Sequence, residues 1–410
     1  MKSRIMCNCL VCGRQVLLVV VIMALQFSFW GCTHLGGMPK QKVRPTFVRV
    51  EGISRVFVEG EIVRMSTGQV VTFEEMMAEL RSVRIVYVGE THVNSSHHDI
   101  QLKVLEALFK NDQPIHIGME MFGRSYQAVL DRWSSGGYTE ETFLKKVEWE
   151  ERWSFDFDLY RAILLFVREN HIPLTPLNVP IEIVRKVATR GIESLSENER
   201  AQIAEDIDLS DDMHRAFLKR QYAGHDTDDL HGFEYFHEAQ SVWDDSMAES
   251  VAKIVKTDQD DSQIVVFAGN GHIEKFGIPE RVQRRVTSTY LTLMPASVGS
   301  ALKQNAADYV WVTKLQKMHR HPLIGIKIKP VADSASLLIE GVLPESPAES
   351  AGIKKGDILL AIDGAAVSSV SDIHRAVLDA KSRGSHLFQI KRGEETLELE
   401  VTPKNRREGE

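Results

Sequence analysis

Between Ile85 and Val312 the chain alternates short apolar runs with longer amphipathic segments, and this rhythm restricts the fold more than any other feature. Ile85–Val88, Ile115–Met119, Leu174–Leu177, Ile264–Ala268, Thr287–Met294 and Tyr309–Val312 have the length and apolar character of buried strands. Ser96–Lys110 gathers Ile100, Val104, Leu105, Leu108 and Phe109 on one helical face, with Ser96 and Asp99 forming a capping box. Ser125–Trp133 and Asp158–Glu169 also read as helices. Upstream, Arg55–Glu61 and Gln69–Thr72 suggest a hairpin, and Thr72 with Glu75 caps a helix to Ser82. Strands separated by helices need crossover connections. The expected fold is therefore α/β, a largely parallel sheet with flanking helices.

Two stretches depart from the alternation. Glu193 to Asp261 is polar and helical without a strand signal, with Ser196 and Glu199 capping one helix and Glu238–Val255 forming a long one. This excursion holds His214, Tyr222, His225, His231, Tyr235 and His237, and reads either as a lid over the sheet or as a solvated layer. Beyond the basic linker Lys314–Pro322, strand signals resume at Leu323, and Asp363-Gly364 marks a tight turn. A second, small β domain is expected there.

Composition narrows the chemistry. All four cysteines, Cys7, Cys9, Cys12 and Cys32, precede residue 33, so the body has no disulfide, thiolate metal site or cysteine nucleophile. Lys2, Arg4 and Arg14 accompany the apolar run Val16–Trp30, which is too short for a stable span and suits a signal peptide. Removing residues 1–31 takes away those three positive charges and no negative ones, moving the net charge from −8 to −11. An acidic body of this kind disfavours nucleic acid and anionic lipid headgroups as partners.

Ligands of an open α/β sheet sit beyond the carboxyl ends of its strands. There the sequence places Gly89-Glu90-Thr91-His92, Glu120, Asn178 and Gly269-Asn270-Gly271-His272. Two carboxylates and two imidazoles on one edge, with the Asn178 amide beside them, can hold a divalent metal through His92, Glu120 and His272. Alternatively, a Glu–His pair activates water without metal. No G-x-S-x-G, Walker A or dinucleotide fingerprint occurs. His97 and His98 begin the following helix, one expected to face the site and the other solvent.

Val88–His92, His97-His98, Gly118–Phe122, the Trp153–Tyr160 stretch, Asn178, Phe267–His272 and the later Ala239-Gln240, Trp243-Asp244 and Met247-Ala248 resemble the ChaN-like haem-binding lipoprotein family, over about residues 72–295. The resemblance implies a periplasm-facing lipoprotein engaged in haem or iron uptake, with a homodimer among the family's arrangements. It also implies kinship with erythromycin esterase-like hydrolases. On that kinship Glu90, His92, Glu120 and His272 form the catalytic constellation, with Arg124 a charge partner. Haem iron needs an axial donor, for which Tyr222 and Tyr235 are the candidates. Trp149, Trp153, Phe155 and Phe157 either face haem or fill the core.

Gly31-Cys32 resembles a bacterial lipoprotein signal in which Cys32 is lipidated, although Phe29 and Trp30 replace the usual aliphatic and small residues. The alternative is an ordinary secretory signal. The lipidated form implies a membrane partner through the anchor, at the outer membrane facing the periplasm. Leu323–Ile326, Ser346-Pro347-Ala348 and Ala351–Leu359 look like a PDZ domain over 319–405, with its second helix near Ser371–Arg383. This resemblance implies a C-terminal peptide partner whose carboxylate is held by the amides around Leu323, Ile324, Gly325 and Ile326. The expected organisation is a signal peptide at 1–31, a linker and hairpin at 32–71, an α/β domain at 72–313 and the PDZ domain at 319–405.

Overall fold

The computed structural model describes residues 46–111, 113–153, 155–222, 230–315, 324–330, 336–367, 372–373, 376–377 and 384–403. The signal segment, Cys32, His225 and Leu323 lie outside them, as does most of the expected second PDZ helix. Among the described residues no helix is long and apolar enough to cross a membrane.

The strands in chain order begin with β1 (Phe47–Val50), β2 (Val56–Val58), β3 (Ile62–Arg64), β4 (Gln69–Val71), β5 (Ile85–Glu90) and β6 (Ile115–Gly123). They continue with β7 (Leu174–Asn178), β8 (Gln263–Gly269), β9 (Tyr290–Ser297), β10 (Ala301–Leu302) and β11 (Tyr309–Thr313). An eight-stranded sheet has the order β4-β3-β11-β9-β5-β8-β6-β7. The run from β11 to β7 is parallel throughout, and β3 and β4 add an antiparallel edge. The hairpin expected from Arg55–Glu61 and Gln69–Thr72 does not form: β4 pairs instead with β3, while β2, which lies within Arg55–Glu61, joins β1 in a separate three-stranded sheet with β10.

Every residue of β5 and β8 is buried, as expected of central strands covered on both faces. One insertion decides the site. β8, far along the chain, inserts between β5 and β6, so Glu90 stands beside Gly269 and Met119 beside Phe267.

The helix Phe73–Leu80 has the expected Thr72–Glu75 capping box, and the helix Asp158–Glu169 has the expected limits. The helix Ser95–Phe109 starts earlier than expected: Asn94, rather than Ser96, caps it by accepting the backbone N–H of Ser96. Its buried face includes His97, His98 and Gln101 as well as Ile100, Val104, Leu105 and Leu108, while Phe109 is exposed. Trp149, Trp153 and Phe157 belong to the apolar core beneath the sheet with Trp133, Phe143 and Leu164, and Phe155 packs against it.

The chain divides into two compact units, one comprising Val179–Ser246 and the other residues 46–178 and 247–403 among those described. The first is helical, and the helix Leu230–Thr257 runs from it into the second. The remaining strands, β12 (Ile326–Pro330), β13 (Leu337–Val342), β14 (Ile358–Ile362), β15 (Ala365–Ala366), β16 (His386–Arg392) and β17 (Glu395–Val401), form a separate sheet. Its own core includes Leu337, Ile339, Leu359, Phe388 and Val401. Asp363 and Gly364, both at positive φ, make the tight turn between β14 and β15.

Candidate functional site at the carboxyl ends of the central strands

Glu90 ends β5 and is 1% exposed, a position that a charged side chain holds only when paired. Its Oε1 accepts from His92 Nδ1 at 2.7 Å and from the Tyr160 hydroxyl at 2.8 Å. Its Oε2 accepts from Gln101 Nε2 at 2.9 Å, and His98 Nδ1 lies 3.3 Å away. Burial alone would raise the carboxyl's pKa. The His98 charge, the His92 hydrogen bond and the Tyr160 donor outweigh it and hold Glu90 below the usual carboxylate range. Burial likewise opposes the charged form of His92, but the Glu90 hydrogen bond and the Glu120 carboxylate raise that imidazole above its ordinary value.

Glu120, one residue beyond Met119 in β6, is 1% exposed. Its Oε2 accepts the Gly269 backbone N–H at 2.6 Å, while its buried Oε1 has no hydrogen-bond partner and lies 3.6 Å from His272 Nε2. A side chain on Gly269 would bring a Cβ within 3.1 Å of His92 Cε1 and 3.6 Å of Glu120 Oε2. The bare Gly269 backbone thus forms the floor on which the ring and the carboxylate meet. Gly89 is required more strictly, because a Cβ there would stand 2.1 Å from Asn270 Oδ1. The short helix Asn270–Ile273, which carries His272, packs into that space.

The four residues expected from the strand ends therefore do come together. His97 and His98 differ from expectation, since both are buried. His97 accepts the Thr91 N–H through Nδ1 at 2.9 Å and faces Thr313 through Nε2, and burial followed by the His98 charge pushes it down to about 3. Asn178 donates to the Glu120 carbonyl rather than presenting its amide as a lone ligand group. Arg124, expected as a charge partner of the constellation, pairs with Glu249 at 3.0 Å and donates to Ser250. Among the described residues no group of three or more His, Cys, Asp or Glu could hold a metal ion, so the trio His92, Glu120 and His272 does not form a ready-made metal centre. Sequence reasoning missed Tyr160 and Gln101. The available signal was a hydroxyl and an amide within otherwise apolar helical stripes.

Tyr222 and Tyr235 are both half-buried in the helical unit. Tyr222 packs against Phe233 and Phe236, with ring centroids at 5.7 and 5.5 Å. Tyr235 closes over Gly191, where a Cβ would lie 2.7 Å from its ring. His214 and Asp244 form a buried pair at 3.1 Å in the same unit.

Among the described residues β12 is an edge strand of the C-terminal sheet. Before it, the Ile324 carbonyl accepts from Ala348 and the Gly325 carbonyl from Leu343. Trans peptide planes then point the Gly325 and Ile326 N–H groups the opposite way. Gly325 has φ +84°, and a Cβ there would sit 2.2 Å from that of Ser346. An open edge beside outward amides is the architecture that receives an added peptide strand.

A mixed α/β domain with a buried Glu–His cluster at its central strand ends, followed by a small peptide-binding type of β domain, defines a two-part protein. A family model described as haem-binding uptake, Tiki superfamily, ChaN matches residues 76–282, and a PDZ domain model matches 322–402. The chain belongs to this ChaN family and carries a PDZ domain. The structure of ChaN of Campylobacter jejuni with cofacially bound haem is similar in fold, with a TM-score of 0.51 and 16% identity over 61% of this chain and 95% of that one. Serine protease HTRA1 of Xenopus laevis is 40% identical over 79 residues, which are 19% of this chain and 16% of HTRA1. Protein RETICULATA-RELATED 5, chloroplastic, of Arabidopsis thaliana is 22% identical over 286 residues, 63% of this chain and 38% of that protein. This chain thus matches well under two thirds of the length of either curated relative.

Proposed function

We propose that this protein is an exported, lipid-anchored component of the cell envelope that binds haem in the course of haem or iron uptake. In the same reading, its PDZ domain recruits a partner through that partner's C-terminal peptide. Membership of the ChaN family across residues 76–282 is the observation that carries the reading. Cys32 supplies the anchor, and the outer membrane facing the periplasm is the proposed location. The residues fit the cofactor: Tyr222 offers a phenolic oxygen from a half-buried ring, with the half-buried Phe236 beside it as apolar contact for a porphyrin face. Tyr235 is the second candidate donor. Bound haem would supply an iron centre for transport or redox chemistry, while the chain would bind, orient and shield it, alone or as a homodimer. Haem titration of residues 33–410 followed by absorbance tests this. A saturable Soret shift retained in Glu90→Gln/His92→Ala and lost in Tyr222→Phe is the expected result. No saturable shift in wild type would sink the haem assignment.

One arrangement favours a second reading, a Glu/His-dependent hydrolase. His92 is held by Glu90 through Nδ1 and stands over Gly269 beside the Glu120 carboxylate, an arrangement suited to taking a proton from water. Turnover of carboxylic esters, with and without added divalent metal, that disappears in Glu90→Gln and His92→Ala while the fold persists would support it. Absence of turnover in wild type would exclude it for those substrates.

A further inference from the structure

We propose that Tyr160, Gln101 and His98 are positioning residues that act through Glu90 to hold His92 in one orientation and one tautomer. In that tautomer the proton is on Nδ1, and Nε2 is turned toward Glu120 and Gly269. The assignment rests on the acid–base reading of the strand-end site and deepens it.

An ionised carboxylate offers about four lone-pair sites. On Glu90 these face the His92 ring and the Tyr160 hydroxyl at one oxygen, and the Gln101 amide and the His98 ring at the other. Three hydrogen bonds, with the His98 ring beside them, therefore enclose the carboxylate inside the protein. At 1% exposure it is closed to water and substrate and acts on the chemistry only through His92.

The direction of each bond is fixed by its surroundings. Burial and the adjacent Glu90 charge raise the Tyr160 phenol well above its ordinary value, so Tyr160 donates. Gln101 Nε2 also lies 3.4 Å from the carbonyls of Val88 and Gly89. Flipping the amide would set its oxygen against three acceptors, so Gln101 donates too. Gln101 Oε1 in turn faces His98 Nδ1 at 3.1 Å, and His98 Nε2 reaches the His92 carbonyl at 3.1 Å. A carboxylate so surrounded can only accept from His92. The neutral ring then carries its proton on Nδ1 and leaves Nε2 bare. Trp153 and Phe155, with ring centroids 4.9 and 4.8 Å from that of His92, hold the ring plane from its flanks. The network ties β5 to the helices Ser95–Phe109 and Asp158–Glu169, so the ring's orientation is set by three elements at once.

The test is imidazole ¹H–¹⁵N correlation spectroscopy on the full chain labelled at histidine, with His92 assigned from a His92→Ala spectrum. It is recorded at alkaline pH, where the ring is neutral. Wild type is expected to show a protonated Nδ1 and a bare Nε2. In Tyr160→Phe and in Gln101→Met the carboxylate is no longer pinned against Nδ1 and can turn away from it, so the tautomer ratio should shift toward Nε2–H. A residue that merely packs would lower the thermal midpoint and leave this ratio unchanged. The proposal is overturned by a wild-type ring protonated on Nε2, or by variants that keep the wild-type ratio. Should Tyr160→Phe fail to fold, Gln101→Met and the wild-type spectrum still decide. The readout needs no turnover, so failure of the hydrolase reading would show separately, as absent activity beside an intact tautomer.

Discussion

Glu120 reaches from β6 to β8 and accepts the backbone N–H of Gly269 at 2.6 Å, locking the ends of two neighbouring parallel strands together at the mouth of the site. The same glycine lies beneath His92. Strand pairing and site geometry thus depend on one position without a side chain.

Substitution at the two strand-end glycines should be graded. Gly269→Ala meets His92 Cε1 at 3.1 Å, a crowding that a small ring shift relieves, and should cost about 1 kcal/mol. Gly89→Ala meets Asn270 Oδ1 at 2.1 Å and Ile273 at 2.9 Å and should cost about 3 kcal/mol or more. Urea unfolding of both variants measures the order, and equal costs would contradict the packing argument.

The Glu90–His92 pair should stabilise the fold within a defined pH window. The folded pKa of Glu90 is lowered, so its contribution is present above the unfolded value of 4.5 and is lost as pH falls through the folded value. The folded pKa of His92 is raised, so its contribution is full below 6.5 and is lost as pH rises through the folded value. The stability difference between wild type and Glu90→Gln/His92→Gln, measured by denaturant melts across pH, should therefore be largest between about 4.5 and 6.5. A difference independent of pH would count against the pair.

His97 works in the opposite sense. Held neutral down to about 3, it binds a proton more readily in the unfolded chain. Its contribution to stability is lost as pH falls from 6.5 toward that value. His97→Gln should flatten this acid limb, as followed by thermal midpoints between pH 7 and 4 (roughly the range over which the unfolded imidazole titrates). An acid limb unchanged in the variant would assign the loss to other groups.

Gly325→Ala combines a positive φ with a contact of 2.2 Å on Ser346, so the loop before β12 cannot keep its shape. Binding of a peptide with a free C-terminus, followed by fluorescence anisotropy, should drop at least about tenfold, since one well-placed charged hydrogen bond contributes that much. The circular dichroism of the α/β domain should stay unchanged. Retained affinity would show that these amides do not hold the carboxylate.

The parallel-sheet class, the limits of the helix Asp158–Glu169, the Thr72–Glu75 cap and the Asp363-Gly364 turn were all legible in the sequence. Each depends on side-chain periodicity or on the local chemistry of a few neighbouring residues. The residue types at the strand ends were legible for the same reason, since Glu90, Glu120 and His272 each close or closely follow an apolar run. Their convergence was not. It depends on β8 inserting between β5 and β6, pairings between segments nearly 150 residues or more apart for which no local pattern codes. The contributions of Tyr160 and Gln101 were hidden as well, because one polar group in an apolar helical stripe looks like a tolerated exception until a buried carboxylate lies opposite. Residue order along the chain thus specifies which elements form and which chemical groups end them. That both Glu90 oxygens are hydrogen-bonded while Glu120 keeps an unpartnered oxygen is a property of the assembled fold alone, because hydrogen-bond satisfaction in the interior depends on what distant parts of the chain bring within about 3 Å.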